Sequence, residues 1–466
     1  MKVGIMIKKP ENIFSNGCVQ QSLFMKKIIQ NAGFEVHFLS IEPTYNTFEL
    51  TSEPIIMTDE KYDFSEFFCI ILASLVLIPS NNANYIENLQ KYNLVVINMV
   101  CGNLSILNQE EFVFNVHKII HNYTLPYFSM NWVLEMYEHS RDYVQFLTSK
   151  PTEITPYVWD PDIIHKYLKQ NNISINKEKK NNSKVNLLIF EPNMSIHKNA
   201  LVPLLICEEF HKRFPDKLNK VYLFCASTIT ETNKVFLQNL SIFPRIESFG
   251  RIIMPYILNV IEKNNNFLNI GLSYTLMNNL NFLHLEFFYL GLPIIHNCQP
   301  FQHNKMYFND NDLSKAVGLI ETTRLHFDKD VYMNDVSKIL QEFSSTNTAR
   351  IEQYKKSLKH ILNNFEINHD KNCGFCFIIT NSNNNSFSEL ILELTKKYNK
   401  PSIEVYLSKQ HDLQYSPDMF NANIAIKQLE CSNLTKENIL SCSSFRKIYL
   451  YSDLHTTLNN FEIYTK

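Results

Sequence analysis

Glycine is scarce in this sequence. Nine glycines in 466 residues is about 2%, against a usual share of about 7%. That excludes collagen-like repeats, glycine-rich linkers and RGG-type arms. No GxGxxG and no GxxxxGK[ST] occurs either, so neither a dinucleotide fingerprint nor a P-loop is present. Whatever the protein binds is not cradled by a multi-glycine loop. A basic excess is also missing. Lys+Arg is 44 and Asp+Glu is 46, for a formal net charge of −2. Most of the basic residues are lysines scattered along the chain, which argues against nucleic acid as a partner, because phosphate-backbone binding shows as a basic stripe or excess. No long hydrophobic run is present. The longest, Phe67–Pro79, falls short of the roughly 20 residues a membrane-spanning helix needs, and reads as a buried parallel strand plus turn. The apolar start Val3–Ile7 is too short for a secretory signal and is followed at once by lysines. A cytoplasmic protein without a transmembrane segment is the expectation, with its ten dispersed cysteines as free thiols. Cys373-Gly374-Phe375-Cys376 copies a redox CxxC spacing but runs straight into the apolar Phe377-Ile378-Ile379, which places it on or beside a strand.

What is present is ample core material. Hydrophobic residues make up 45% and charged residues 19% of the chain, enough for two or three globular domains at about 150 residues each. Lys2–Ile7 reads as a strand, followed by a polar loop and a helical stretch from Cys18 to Asn31. Gly33 stands as its C-cap and Phe34–Leu39 as the next strand. Further strands are expected at Phe67–Val76 and Leu94–Val100. A second run begins near Lys184: strand Val185–Phe190, helix Ala200–Phe214, strand Lys220–Cys225, and shorter strands at Phe267–Ile270 and Leu292–Ile295. Strands alternating with helices imply parallel sheets with crossover connections. The proline-flanked Pro151–Trp159 reads as the link between two similar α/β domains. Helices fill Val331–Phe365, and Cys376–Tyr406 reads as one more strand–helix–strand unit, making the last hundred residues a small appended α/β piece.

Two segments combine chemistry with position. In Phe190–Ala200 a buried strand ends, a polar loop carrying Asn193 and Lys198 follows, and a long helix begins. Ligands of open α/β sheets bind at such strand ends, and a helix N-terminus with a lysine suits a phosphate; spacing alone favours an ordinary βα loop with a solvated lysine. In Leu280–Ile295, Glu286 sits inside an apolar helical stretch that ends at Gly291, before Pro293 and a strand. A carboxylate there is costly without a partner, unless it faces solvent on a narrow polar face.

Together these segments resemble GT-B-fold glycosyltransferases. A glutamate followed five residues later by glycine, then x-Pro and a strand, resembles their donor-site helix. Asn193 and Lys198 have the spacing of the Arg and Lys that hold the donor diphosphate there. Ser15-Asn16-Gly17 resembles the first loop of the N-terminal GT-B domain, and Thr155–Pro161 the interdomain crossover. The runs SNG, FEPN, PLLICEE and NLNFLHLE…LGLPIIHN resemble a mostly bacterial group of GT-B-type proteins classed as a domain of unknown function, over about residues 1–365. The resemblance implies an α/β fold of GT-B architecture: two Rossmann-like domains facing across a cleft, with residues 1–155 binding the acceptor and 156–365 the nucleotide-sugar donor. Residues 366–466 form an α/β extension of no assigned role.

The resemblance also implies roles. Glu286 would accept hydrogen bonds from the two ribose hydroxyls, and Lys198 would neutralise the diphosphate. Asn279, Leu280 and Asn281 would offer donors to sugar and phosphates. Gly17 would allow close approach of the N-terminal loop, and Arg251, after Phe249-Gly250, would add a cation. Two positions depart from the pattern: the usual arginine is Asn193, and the usual paired glutamate is Asn278. The implied reaction is attack of an acceptor hydroxyl, on a glycan, lipid or protein, at the anomeric carbon of the donor. The departing diphosphate is stabilised by positive side chains and helix dipoles, with no metal and no cofactor beyond the co-substrate. Asp310-Asn311-Asp312 spells the DxD of metal-dependent GT-A enzymes but stands in a polar loop far down the chain. His121 and Asp160 are the candidates for a general base in an inverting reaction. The alternatives are a non-catalytic sugar- or nucleotide-binding protein of the same fold and a sugar-nucleotide epimerase.

Overall fold

The structure is a computed structural model. It describes the chain except residues 1, 11–12, 43–50, 74–76, 78, 93, 115–126, 174–180, 194, 230, 251–265, 278–281, 311, 372–374, 380–401, 409–422, 430–446, 452–461 and 466. The chain divides into two compact units, Met1–Lys359 and His360–Lys466.

The first unit holds two sheets. Strands β1 (Lys2–Met6), β2 (Glu35–Ser40), β3 (Ile55–Met57), β4 (Phe67–Leu72), β5 (Val95–Val100), β6 (Met130–Leu134) and β7 (Thr152–Thr155) form the first, in the order β3-β2-β1-β4-β5-β6-β7. Every pairing in it is parallel. Strands β8 (Asn181–Ile189), β9 (Leu218–Leu223), β10 (Ile246–Ser248), β11 (Phe267–Ser273) and β12 (Ile294–His296) form the second, again all parallel, in the order β10-β9-β8-β11-β12. Near-continuous apolar strands such as Phe67–Leu72, buried at every position, are what a sheet covered on both faces requires. Both sheets reverse direction of winding at one place, between β1 and β4 in the first and between β8 and β11 in the second. Strand ends splay apart at such a switch point and leave a crevice. The α/β class with two Rossmann-like parallel sheets agrees with the sequence reading.

The strand–helix boundaries are set by local chemistry. Asn16 caps helix Gly17–Asn31, its side chain accepting from the Cys18 and Val19 amides at 3.1 and 3.3 Å. That helix ends at Gly33 as expected, where φ is +92° and the Phe34 amide reaches back to the Ile29 carbonyl. The linker differs from its sequence reading. Thr152–Thr155 is not part of the link but the seventh strand of the first sheet, so the crossover begins at Pro156. Alternation of threonines with Glu153 and Ile154 over four residues is too short to distinguish a strand from a linker. Likewise β8 starts at Asn181, where pairing of Asn181 with Phe267 of β11 extends the strand into polar sequence.

The second unit is described by its sheet. Strands β13 (Phe375–Ile379), β14 (Ser402–Ser408), β15 (Asn423–Leu429), β16 (Lys447–Tyr451) and β17 (Glu462–Thr465) run in the order β15-β14-β13-β16-β17. All pairings are parallel except that of β16 with β17. This is a five-stranded sheet, larger than the single strand–helix–strand unit read from the sequence. Cys376 lies in β13, while Cys373 lies outside the described residues. No helix among the described residues is long and apolar enough to cross a membrane.

Candidate functional site

The loop after β8 and the loop after β11 leave the second sheet at its switch point and lace together. Lys198 pairs with Thr275 as an isolated antiparallel bridge, and the Leu276 amide donates to the His197 carbonyl at 3.0 Å. Asn297, just beyond β12, clamps the same loop from the other side. Its Oδ1 accepts from the Thr275 amide at 2.9 Å, and its Nδ2 donates to the Thr275 carbonyl at 2.7 Å and to Asp310 at 2.6 Å. Asp310 is thus held by Asn297, and Asp312 caps helix Leu313–His326 through the Lys315 amide at 3.0 Å. Among the described residues no group of three or more His, Cys, Asp or Glu side chains is arranged to hold a metal.

Lys198 is half-buried, and burial lowers its pKa below that of a free lysine, while the neighbouring Glu191 charge acts in the opposite sense. Glu191 is the residue that sequence reasoning missed. It stands just beyond β8, buried, with Oε1 accepting from the Ser273 hydroxyl at 2.7 Å and Oε2 without a hydrogen-bond partner among the described residues. Burial pushes its pKa up to about 7, against the pull of Ser273 and Lys198. The signal was in the sequence: a glutamate directly after five buried strand positions and Phe190 cannot be far from the sheet's edge.

Asn193, which the sequence resemblance sets against an arginine, serves its own turn. Its φ is +55°, a left-handed conformation that asparagine tolerates. Its Oδ1 accepts from the Ala200 amide at 2.7 Å, ahead of helix Leu201–Arg213. The amide is therefore turned into the loop.

Glu286 lies on helix Phe282–Leu290, which is buried at every position but Tyr289. The solvent-facing alternative is excluded. The residue is 6% exposed, and its carboxylate has no hydrogen-bond or ionic partner among the described residues; burial alone pushes its pKa up to about 7. The helix is pressed onto the sheet because β11 carries Gly271 beneath it: a Cβ there would stand 2.5 Å from the Phe287 ring. It ends at Gly291, φ +67°, with the Leu292 amide bonded to the Phe287 carbonyl.

The first sheet supplies the opposite wall. Gly17 lies against the ring of Phe282, and Phe24 meets the same ring edge-on at a centroid distance of 5.4 Å. Tyr157, from the crossover, stacks on Phe282 at 5.3 Å. Its hydroxyl is buried without a hydrogen-bond partner among the described residues, and burial, together with the nearby Tyr137, Cys298 and Glu286, raises its pKa well above the ordinary value. Cys18, beside Gly17, is hydrogen-bonded by Cys101 beyond β5, and this contact with the Lys198 charge lowers its pKa. Cys18, Cys69, Cys101, Cys207, Cys225 and Cys298 are free thiols.

Asp160 has a different occupation. Its Oδ2 accepts from Lys27 at 2.8 Å and from Ser345 at 2.6 Å, and its Oδ1 from the Asp162 amide at 3.1 Å. It ties the crossover to helix Gly17–Asn31. His121, Arg251, Asn278, Asn279, Leu280 and Asn281 lie outside the described residues.

Residues 2–358 match the model of a family described as a protein of unknown function, DUF2827. The chain belongs to that family. No curated protein matches it. Among solved structures, this DUF2827 member is similar to an α-glucosyltransferase in complex with UDP, at 11% identity and a TM-score of 0.45, over 78% of this chain and 100% of that one. It is similar to Anabaena HepE in complex with UDP-glucose at 11% identity and TM-score 0.45, over 77% and 100% of the two chains. T4 phage BGT with its UDP-glucose substrate gives 12% identity and TM-score 0.44, over 78% and 100%.

Proposed function

We propose that this DUF2827 protein is a GT-B-type glycosyltransferase that moves a sugar from a nucleotide-sugar donor to an acceptor hydroxyl. The observation that carries the reading is Glu286. A buried carboxylate at the edge of a parallel sheet's switch point, without a partner among the described residues, is a standing electrostatic cost that a ligand rich in hydroxyl donors relieves. A ribose diol is such a ligand, since both hydroxyls can donate to one carboxylate. Lys198, with the N-terminal end of helix Leu201–Arg213, meets the diphosphate. Asn278, Asn279, Leu280 and Asn281 precede the Glu286 helix and flank the sugar, and Arg251 flanks the base. The acceptor binds to residues 1–155 and the donor to 156–365, with Gly17 at the join.

In the reaction the acceptor oxygen forms a bond to the anomeric carbon. The bond from that carbon to the β-phosphate oxygen breaks, and the nucleoside diphosphate departs with the electron pair. The acceptor proton passes to a base or to the leaving phosphate. Lys198 offsets the charge that develops on the diphosphate, so the proposal includes no metal.

A second reading is a binding protein that keeps the fold without transfer. Asn193 favours it, because its amide is committed to the Ala200 amide where a charged clamp is usual. Thermal-shift and donor-hydrolysis measurements with UDP-, GDP- and dTDP-sugars separate the two. Stabilisation with slow hydrolysis supports transfer, and stabilisation with no hydrolysis or transfer supports binding alone. No stabilisation by any nucleotide sugar or nucleoside diphosphate removes the donor-site assignment.

A further inference from the structure

Helix Leu104–Phe114 follows β5 of the first sheet, yet it grips both laced loops of the second. At its start, the Asn103 side-chain Nδ2 donates to the Met277 carbonyl at 2.7 Å. Nearly two turns on, Glu110 enters the turn that follows β8. The Ser195 hydroxyl lies 2.9 and 2.8 Å from Glu110 Oε1 and Oε2, and the Ile196 amide donates to Oε1 at 2.5 Å. Ser195 is positioned in turn by His197, whose Nδ1 lies 2.7 Å from the hydroxyl. Glu110 is 4% exposed, so its charge is met by these donors and other protein groups rather than by water. A backbone amide and a hydroxyl converging on one oxyanion, in the turn between a strand's end and a helix, form a site that does not distinguish a carboxylate oxygen from a phosphoryl oxygen. Lys198 stands three residues on in the same turn, and its charge is met from another side by Glu191.

We propose that Glu110 is a built-in competitor for the donor's phosphoryl oxygens: it fills the Ser195–Ile196 subsite when no nucleotide is bound, clasping the two sheets together, and is displaced when the diphosphate enters. The inference rests on the donor-site reading of the preceding section. A competitor inside the chain reduces apparent affinity by the fraction of molecules in which it occupies the site, and its removal returns that fraction. Asn103 still bonds Met277 when Glu110 lets go, so the helix stays anchored at one end.

The test compares the full-length protein with Glu110→Gln and Glu110→Ala, using UDP and inorganic pyrophosphate as probes in titration calorimetry. Circular dichroism and melting curves establish that each variant is folded. Glu110→Ala is expected to bind both probes at least fivefold more tightly, with Glu110→Gln between it and the wild type. Hydrogen exchange supplies a readout without ligand: the segment around Ile196 should exchange faster in Glu110→Ala. In the wild type, UDP should speed exchange in Leu104–Phe114. Wild-type binding of UDP with equal or weaker binding by both folded variants overturns the clasp and leaves the donor site standing. No binding of UDP or pyrophosphate by any of the three overturns both. If the alanine variant does not fold, Glu110→Gln decides by the same affinities, an unchanged value overturning the clasp.

Discussion

The ring of Phe287 lies directly over Gly271, so closely that a single added carbon on the glycine would stand 2.5 Å from it. This contact seats helix Phe282–Leu290 on β11 and so fixes the depth at which Glu286, the preceding residue, is buried. Gly271→Ala is therefore expected to destabilise the protein by about 1–3 kcal/mol through overpacking. Urea denaturation measures it, and Phe287→Leu in the same chain should recover part of the loss. A neutral Gly271→Ala would mean that the helix is free to lift.

Glu286→Leu should separate stability from binding. Replacing a buried carboxylate that has no partner among the described residues by an apolar side chain of similar size removes a desolvation cost, so the ligand-free protein should gain about 1–3 kcal/mol at pH 8. The same change should abolish stabilisation by nucleoside diphosphates. A variant that is more stable and still binds them would refute the placement of the ribose.

The pH dependence of stability has a definite sign. Glu286 and Glu191 are both raised to about 7 by burial, far above an exposed glutamate. Between the unfolded and folded values the folded state holds protons that the unfolded state has released. Their contribution is fully present below about pH 4.5 and is lost as pH rises through about 7. Glu286→Gln removes one titration. Its stability relative to wild type should grow by on the order of 2–3 kcal/mol between pH 5 and pH 8. Parallel curves for the two proteins would show that Glu286 does not titrate in that range.

Lys198→Ala should weaken diphosphate binding by about 1–3 kcal/mol, the size of a charged hydrogen bond. The loss should be larger for UDP than for uridine, because only the former carries the phosphates. Equal losses for both, measured by calorimetry, would place the lysine elsewhere.

Much of the fold was legible in residues that act locally. The apolar run of β1, the cap at Gly33 and the helix stop at Gly291 each depend on a few neighbours, and each stands as the sequence indicated. Thr152–Thr155 and the start of β8 were not legible, because four mixed residues become a strand only when β6 or β11 lies alongside. In the site, Lys198 and Glu286 could be named in advance, but Asn193 could not be known to spend its amide on Ala200. Glu191 went unnoticed although it stands just beyond an apolar strand, and Glu110 because its partners stand 85 and 86 residues away.

The sequence by itself determined that this is an α/β chain with few glycines, in which Gly291 and Glu286 stand together before a strand. It did so because hydrophobic period and turn chemistry are short-range. Tertiary structure alone decided that Glu286 is buried, that Tyr157 stands near it, and that Glu110 reaches into the loop of Lys198. Burial and charge pairing depend on which distant segments the two sheets bring to one crevice, and no local pattern encodes that.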